Sequence, residues 1–313
     1  MNFESRYQHS SKQLNKLKEL REKKEISVSE SLFLATEAIQ HGQPYALSLI
    51  DCLLSQFHKK EIQDFLFSLK LQCEFIESIQ HWPMVKANPN TLKKLYELNG
   101  YQFIKGSKHP SKLIIVFTTM YNNFYMSNAV LAAFLLQFGI SILILKDATR
   151  FNYLKGVQGL GDDLSKVANK IQLIIDQEGI KEVIIAGFSS GGYASLLLSC
   201  LVPCNRYLGF SIRSDLSEHS ALAPPKFFLS EVRELLDKRW LINMRERLTT
   251  AAIDCRKEIY VGKDNTEDMR HADNLRGLPD VHLHELPCGH ITIAPLMQTG
   301  DLTRIFHNII FET

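Results

Sequence analysis

What this 313-residue chain lacks narrows its class first. It carries no excess of either charge. Its 36 Lys and Arg stand against 34 Asp and Glu, a net of +2, which excludes bulk nucleic-acid binding and an acidic solvating tail. Aromatics are scattered rather than interleaved with basic residues, so no single-strand nucleic-acid platform is read. Only six cysteines occur, none in a Cys-x-x-Cys pair. Cys200 and Cys204 stand four apart, on one helix face by spacing, and no second pair completes a zinc site. They read as reduced thiols. Ten prolines and sixteen glycines are ordinary usage, which excludes collagen-like and low-complexity classes. The opening MNFESRYQHSSKQ has no apolar h-region, so no secretory signal is read and a cytoplasmic location is expected. One apolar run, from Ala129 to Leu145, approaches membrane length. Gln137 and Gly139 break it, and it reads as a helix end followed by a buried strand, so no membrane span is expected.

What is present divides into two parts. From Ser11 to Ser78 the apolar spacing is helical, with breaks near Ile26 to Ser29, Gly42 to Pro44 and Lys59-Lys60. Leu14, Leu17 and Leu20 line one face of a helix whose other face carries KELREKKE, a solvated run. Further amphipathic helices follow over Ser29 to Ile39, Tyr45 to Phe57 and Glu61 to Ile79. His81-Trp82-Pro83 and Asn88-Pro89-Asn90 read as linker. Residues 1–95 are therefore expected to form an α-helical N-terminal domain, and 96–313 a second domain.

In that second part the pattern changes to short apolar strands alternating with helices. Strands are predicted at Tyr101–Lys105, Leu113–Phe117, Ser141–Leu145, Glu182–Ala186, Arg206–Phe210, Glu258–Val261 and Val281–Glu285. Helices are predicted over Ser127–Phe138, Asp162–Glu178, Gly192–Cys200 and Leu302–Phe311. This grammar predicts an α/β fold, a mostly parallel sheet covered on both faces.

The segment that carries chemistry is Gly187-Phe188-Ser189-Ser190-Gly191, entered by an apolar strand and left by an apolar helix. A serine on such a tight strand-to-helix turn projects at the sheet's C-terminal edge. The flanking glycines leave room for the neighbouring chain, and the helix N-terminus faces developing negative charge. No Gly-Lys-Ser/Thr accompanies it, so a phosphate cradle is not read. A nucleophilic serine needs a base and an orienting acid at the ends of later strands. The strand over Glu258–Val261 runs into Gly262-Lys263-Asp264, and the last strand is followed by Pro287-Cys288-Gly289-His290. Ser189, Asp264 and His290 stand in the order such a triad takes. Asp268, four residues on, is the alternative acid; Asp264 is preferred because it lies nearest the strand end.

These motifs resemble the α/β-hydrolase superfamily from about Tyr101 to the C-terminus. Gly187–Gly191 matches its nucleophile elbow, Gly262-Lys263-Asp264 its acid turn and Gly289-His290 its base loop. His271-Ala272-x-x-Leu275 looks like the helix that follows the acid strand. The run from Leu145 to Gly156, with Phe210-Ser211, is also similar to bacterial hydrolase-like proteins of surface polysaccharide and glycoprotein modification. One departure is clear: Thr118-Thr119-Met120-Tyr121 stands where many members place His-Gly before an oxyanion-hole amide. The hole is assigned to the backbone amides of Ser190 and Met120, or Thr119 if the turn is one residue shorter.

The resemblance implies a serine hydrolase, an esterase or deacetylase, acting through an acyl-enzyme on a small-molecule or glycan acyl substrate without cofactor or metal. An acyltransferase acting on a glycan hydroxyl would use the same residues. The rival is a non-catalytic hydrolase-like scaffold whose N-terminal helices dock a protein partner; those helices are equally able to join a homodimer. Asp147, Arg150 and Tyr153, after a strand on the site's edge, are candidates to bind a polar or anionic substrate group. His282-x-His284 has no third ligand, so no metal site is read. The insertion from Ser214 to Leu248 reads as a largely helical lid.

Overall fold

The computed structural model describes residues 19, 27–40, 46–78, 100–147, 149–218, 220–223, 234–251 and 255–312. The predicted helix before Ile26, the two linker motifs and the expected boundary at residue 95 lie outside them.

Seven strands form one sheet: β1 (Gly100–Ile104), β2 (His109–Phe117), β3 (Ile140–Lys146), β4 (Glu182–Phe188), β5 (Arg206–Phe210), β6 (Arg256–Gly262) and β7 (Val281–Leu286). Their order is β1-β3-β2-β4-β5-β6-β7, and all neighbours are parallel except β1, which runs antiparallel to β3 at one edge. The central strands are continuous runs of Leu, Ile, Val and Phe because both of their faces are covered, so neither face needs polar residues. β7, at the other edge, is only half-buried.

Among the described residues three helices precede the sheet: α1 (Val28–Gln40), α2 (Ala46–Gln56) and α3 (Lys60–Ser78). The others are α4 (Asn128–Leu136), α5 (Leu164–Glu178), α6 (Ser190–Leu198), α7 (Met244–Thr250), α8 (Thr266–Leu275), α9 (Ile293–Gln298) and α10 (Asp301–Phe311). α4, α9 and α10 cover one face with Val130, Phe134, Ile293, Phe306 and Ile310; α5, α6 and α8 cover the other with Val167, Ile171, Tyr193, Leu197 and Leu275. The membrane-length apolar run resolves as expected, into α4, a turn at Gly139 and the fully buried β3. Among the described residues no helix is long and apolar enough to cross a membrane.

The N-terminal helices put their apolar faces onto the rest of the chain. Leu34 is buried on α1, and Ala35, Ile50, Leu53, Leu66, Leu69 and Cys73 join the same core as α4 and α9. Phe75 packs tilted against Phe134 at 5.2 Å between ring centroids, and the Ser68 hydroxyl lies 2.7 Å from the Tyr125 hydroxyl. Each fully buried Leu or Ile among them contributes about 1.5–3 kcal/mol. The buried side chains of these three helices thus belong to the chain's own core. Cys204 is also not on a helix with Cys200: α6 ends at Leu198, and the Cys204 Sγ rests 3.2 Å from that of Cys255, neither in a disulfide.

Candidate active site

The turn between β4 and α6 holds Ser189 at φ 53°, ψ −118°, a conformation that costs an L-residue on the order of 1–3 kcal/mol and persists only where its surroundings enforce it. Those surroundings are specific. The Ser189 N–H donates to the Phe210 carbonyl at 3.0 Å, and the Gly192 N–H donates back to the Ser189 carbonyl at 3.0 Å. A Cβ at Gly191 would strike the Phe117 and Thr118 carbonyls, and one at Gly187 would strike the Ser195 side chain. Glycine at these two positions lets the end of β2 and the first turn of α6 close around the serine.

His290 reaches that serine from the loop after β7. Its Nε2 lies 2.8 Å from the Ser189 Oγ, and its Nδ1 lies 2.8 and 3.0 Å from the two carboxylate oxygens of Asp268. The loop is held by the Ser211 hydroxyl, which donates to the His290 carbonyl at 2.7 Å, and by the Phe188 ring, stacked on the imidazole at 5.8 Å and 26°.

The carboxylate at the imidazole is therefore Asp268 rather than the preferred Asp264. Asp264 is exposed in the β6–α8 turn, where its N–H donates to the Cys288 carbonyl at 3.1 Å and helps fix the base loop. Asp268 lies in the first turn of α8, whose cap, the Asn265 side chain, accepts from the Asp268 N–H at 3.0 Å. The helix N-terminus favours a buried anion there. The signal was present in the sequence: Asp268, His271, Ala272 and Leu275 follow helical spacing and share the buried face of α8. Distance from the strand end is the poorer guide, because the helix carries the carboxylate back over the sheet edge.

Backbone N–H groups near the elbow differ in whether they are already bonded. The Ser190 and Met120 N–H groups have no acceptor among the described residues. Thr119 does not share that role, since its N–H donates to the Asn123 carbonyl at 2.8 Å. Tyr153 buttresses the turn that replaces His-Gly. Its buried hydroxyl lies 2.9 Å from the Thr118 Oγ1, 3.0 Å from the Thr118 carbonyl and 2.9 Å from that of Leu145. Burial pushes the phenol above its ordinary range, so it stays a protonated donor. Asp147 is equally committed: its carboxylate accepts from the Thr149 and Tyr153 N–H groups at 2.7 and 2.8 Å. The expectation that Asp147 and Tyr153 bind substrate is corrected by this burial; they hold their own loop, while Arg150 is exposed. Tyr153→Phe, which takes the buried hydroxyl away from the Thr118 carbonyl, is expected to lower stability by about 1–2 kcal/mol in urea unfolding. His284, from the His-x-His pair, is bonded to Glu258.

His271, buried one turn after Asp268, accepts at Nδ1 from the Ser214 N–H at 3.2 Å, while its Nε2 has no partner among the described residues. Burial, and then the nearby Arg213 charge, lower its pKa to about 4, so it is neutral at pH 7.

The sheet order, the strained serine elbow and the base loop after the last strand define an α/β-hydrolase fold. No protein-family model and no curated protein sequence matches the chain. Among solved structures it is similar to a carboxylesterase of the thaumarchaeon Nitrososphaera gargenis, at 13% identity and a TM-score of 0.46 over 67% of this chain and 94% of that one. It is similar to MenH from S. aureus at 11% identity and a TM-score of 0.45, over 68% and 98%. It is also similar to the capsule O-acetyltransferase of Neisseria meningitidis serogroup A at 16% identity and a TM-score of 0.46, over 68% and 93%.

Proposed function

We propose that the protein is a serine hydrolase acting on acyl esters through an acyl-enzyme on Ser189. The observation that carries this is the unbroken line Ser189 Oγ, His290, Asp268, with 2.8 Å at each step, on a strained elbow beside free backbone N–H groups. Ser189 attacks the acyl carbonyl while His290 takes its proton at Nε2. Asp268 holds the imidazole in the tautomer that leaves Nε2 free to accept, and stabilises the imidazolium that forms. The Ser190 and Met120 amides receive the oxyanion. His290 then hands its proton to the leaving alcohol, and the acyl group is released to water. A sugar hydroxyl admitted in place of water would make the same machinery an acyltransferase.

A non-catalytic scaffold has no need of a strained serine, an aligned imidazole and a buried carboxylate in one line. The test is intact-mass analysis after treatment with a fluorophosphonate, whose phosphoryl centre mimics the tetrahedral intermediate. One adduct is expected on the native chain and none on Ser189→Ala. A folded native protein that takes up no label would sink the hydrolase reading.

A further inference from the structure

Cys204 and Cys255 are 51 positions apart in the sequence and meet at the sheet edge opposite the one that carries Ser189. Cys204 stands two residues before β5 and Cys255 one residue before β6, and these strands pair in parallel from Arg206 and Arg256 onward. Neighbouring strands run about 4.8 Å apart, within the Cα separation of about 4.4–6.8 Å that a disulfide spans. The Cys255 Sγ lies 3.2 Å from the Cys204 Sγ. An S–S bond is about 2.0 Å long, so the sulfurs need close by only about 1.2 Å.

The backbone that carries each sulfur is held. The Asn205 N–H donates to the Val183 carbonyl at 2.9 Å and the Asn205 side chain accepts from the Val183 N–H at 2.8 Å, which fastens the approach to β5 onto β4. The buried Lys257 ammonium donates to the Cys255 carbonyl at 2.5 Å. Cys200, the partner that spacing alone gives Cys204, turns its thiol to the Leu196 carbonyl at 3.7 Å. Cys204 keeps 9% of its surface exposed and Cys255 none, so an oxidant from solvent meets Cys204 first. The hydrogen bond from Cys255, and then burial, hold the Cys204 thiol well above its ordinary range, so its thiolate is scarce and the oxidation is slow.

We propose that Cys204 and Cys255 are a modification site at which a peroxide forms a reversible disulfide, and that this cross-link braces the chain from β5 to β6 against unfolding. The Cys204 thiolate attacks one oxygen of hydrogen peroxide and the O–O bond breaks, leaving a sulfenic acid on Cys204 and one water once the thiol's proton is counted. The Cys255 sulfur then displaces the hydroxyl from the Cys204 sulfur, and its own proton leaves with that hydroxyl as a second water. The two thiols lose two electrons and the peroxide gains them. The closed ring takes in β5, α7 and the insertion between them, so the cross-link withdraws conformational freedom from a long stretch of the unfolded chain. The inference stands independently of the hydrolase reading, because the pair lies at the far end of the strands from the serine.

The experiment treats the folded native chain with excess hydrogen peroxide for hours, blocks the remaining thiols with iodoacetamide in urea, and maps the peptides without reductant. A peptide joining residues 204 and 255 is expected, released by dithiothreitol and formed equally in Cys200→Ser. Urea unfolding of the oxidised chain is expected at a midpoint higher by about 1 M, returning to the reduced value in dithiothreitol. Cys204→Ser, or Cys204→Ala if the serine variant does not fold, is expected to show no such rise after the same treatment. Alkylated Cys204 and Cys255, a sulfinic acid accumulating on Cys204, or a link from Cys204 to Cys200 would each overturn the site, and the native map reads all three without any variant. A 204–255 link that leaves the midpoint unchanged, or an equal rise in the Cys204 variant, would overturn the bracing role.

Discussion

Asp268→Asn is expected to lower kcat for ester hydrolysis by roughly 10³–10⁴-fold, whereas Asp264→Asn is expected to stay within about tenfold of the native rate. The difference follows from what each carboxylate touches. Both oxygens of Asp268 lie within 3.0 Å of His290 Nδ1. An amide there can present its NH₂ group to the ring and favour the tautomer with the proton on Nε2, the wrong one for accepting from Ser189. It also removes the charge that stabilises the imidazolium. Asp264 contributes through its backbone N–H to the Cys288 carbonyl, which asparagine keeps. Steady-state kinetics on an activated aryl ester, with circular dichroism to establish folding, provide the check. Equal losses in the two variants would mean that His290 is not oriented by Asp268. Fluorophosphonate labelling should slow in parallel with kcat, because the same proton transfer drives both.

The second large effect is on stability in acid. His271 has an ordinary pKa of 6.5 when unfolded and about 4 when folded, with burial as the main cause and the Arg213 charge next; Asp268 and Asp215 oppose the shift. The folded chain therefore binds fewer protons than the unfolded chain between these values, and stability falls as pH drops through that window. At pH 4.5 the native chain is expected to have lost about 2–3 kcal/mol through this one group relative to pH 7. The Ser214 N–H points at Nδ1 at 3.2 Å, where a second proton would have to sit. His271→Gln keeps an acceptor for that N–H and has no titration in the range. Urea unfolding at pH 7 and pH 4.5 should show a smaller drop for the variant by about that amount. Identical drops would place the acid sensitivity elsewhere.

Much of this protein was legible along the chain. Continuous Leu, Ile and Val runs mark strands buried on both faces whatever surrounds them, so the α/β class and each of the seven strands follow from local pattern. The elbow is legible for a related reason. Glycines two before and two after Ser189 are demanded by the backbone's own sterics, and an apolar strand and helix on either side leave it one place in the fold. His290 is readable because a loop after the last parallel strand must emerge at the same sheet edge as the serine.

What only the tertiary structure decided are matters of direction and depth. Asp264 and Asp268 are four residues apart, and the choice between them depends on where α8 starts, which Asn265 governs by capping it. Asp147, Arg150 and Tyr153 look alike as polar residues on an active edge. Burial commits Asp147 and Tyr153 to their own loop and leaves Arg150 exposed, and nothing in their spacing along a loop marks which will be buried. The helical stripes of the N-terminal part say that an apolar surface must be covered but not by what, because hydrophobic burial is non-directional.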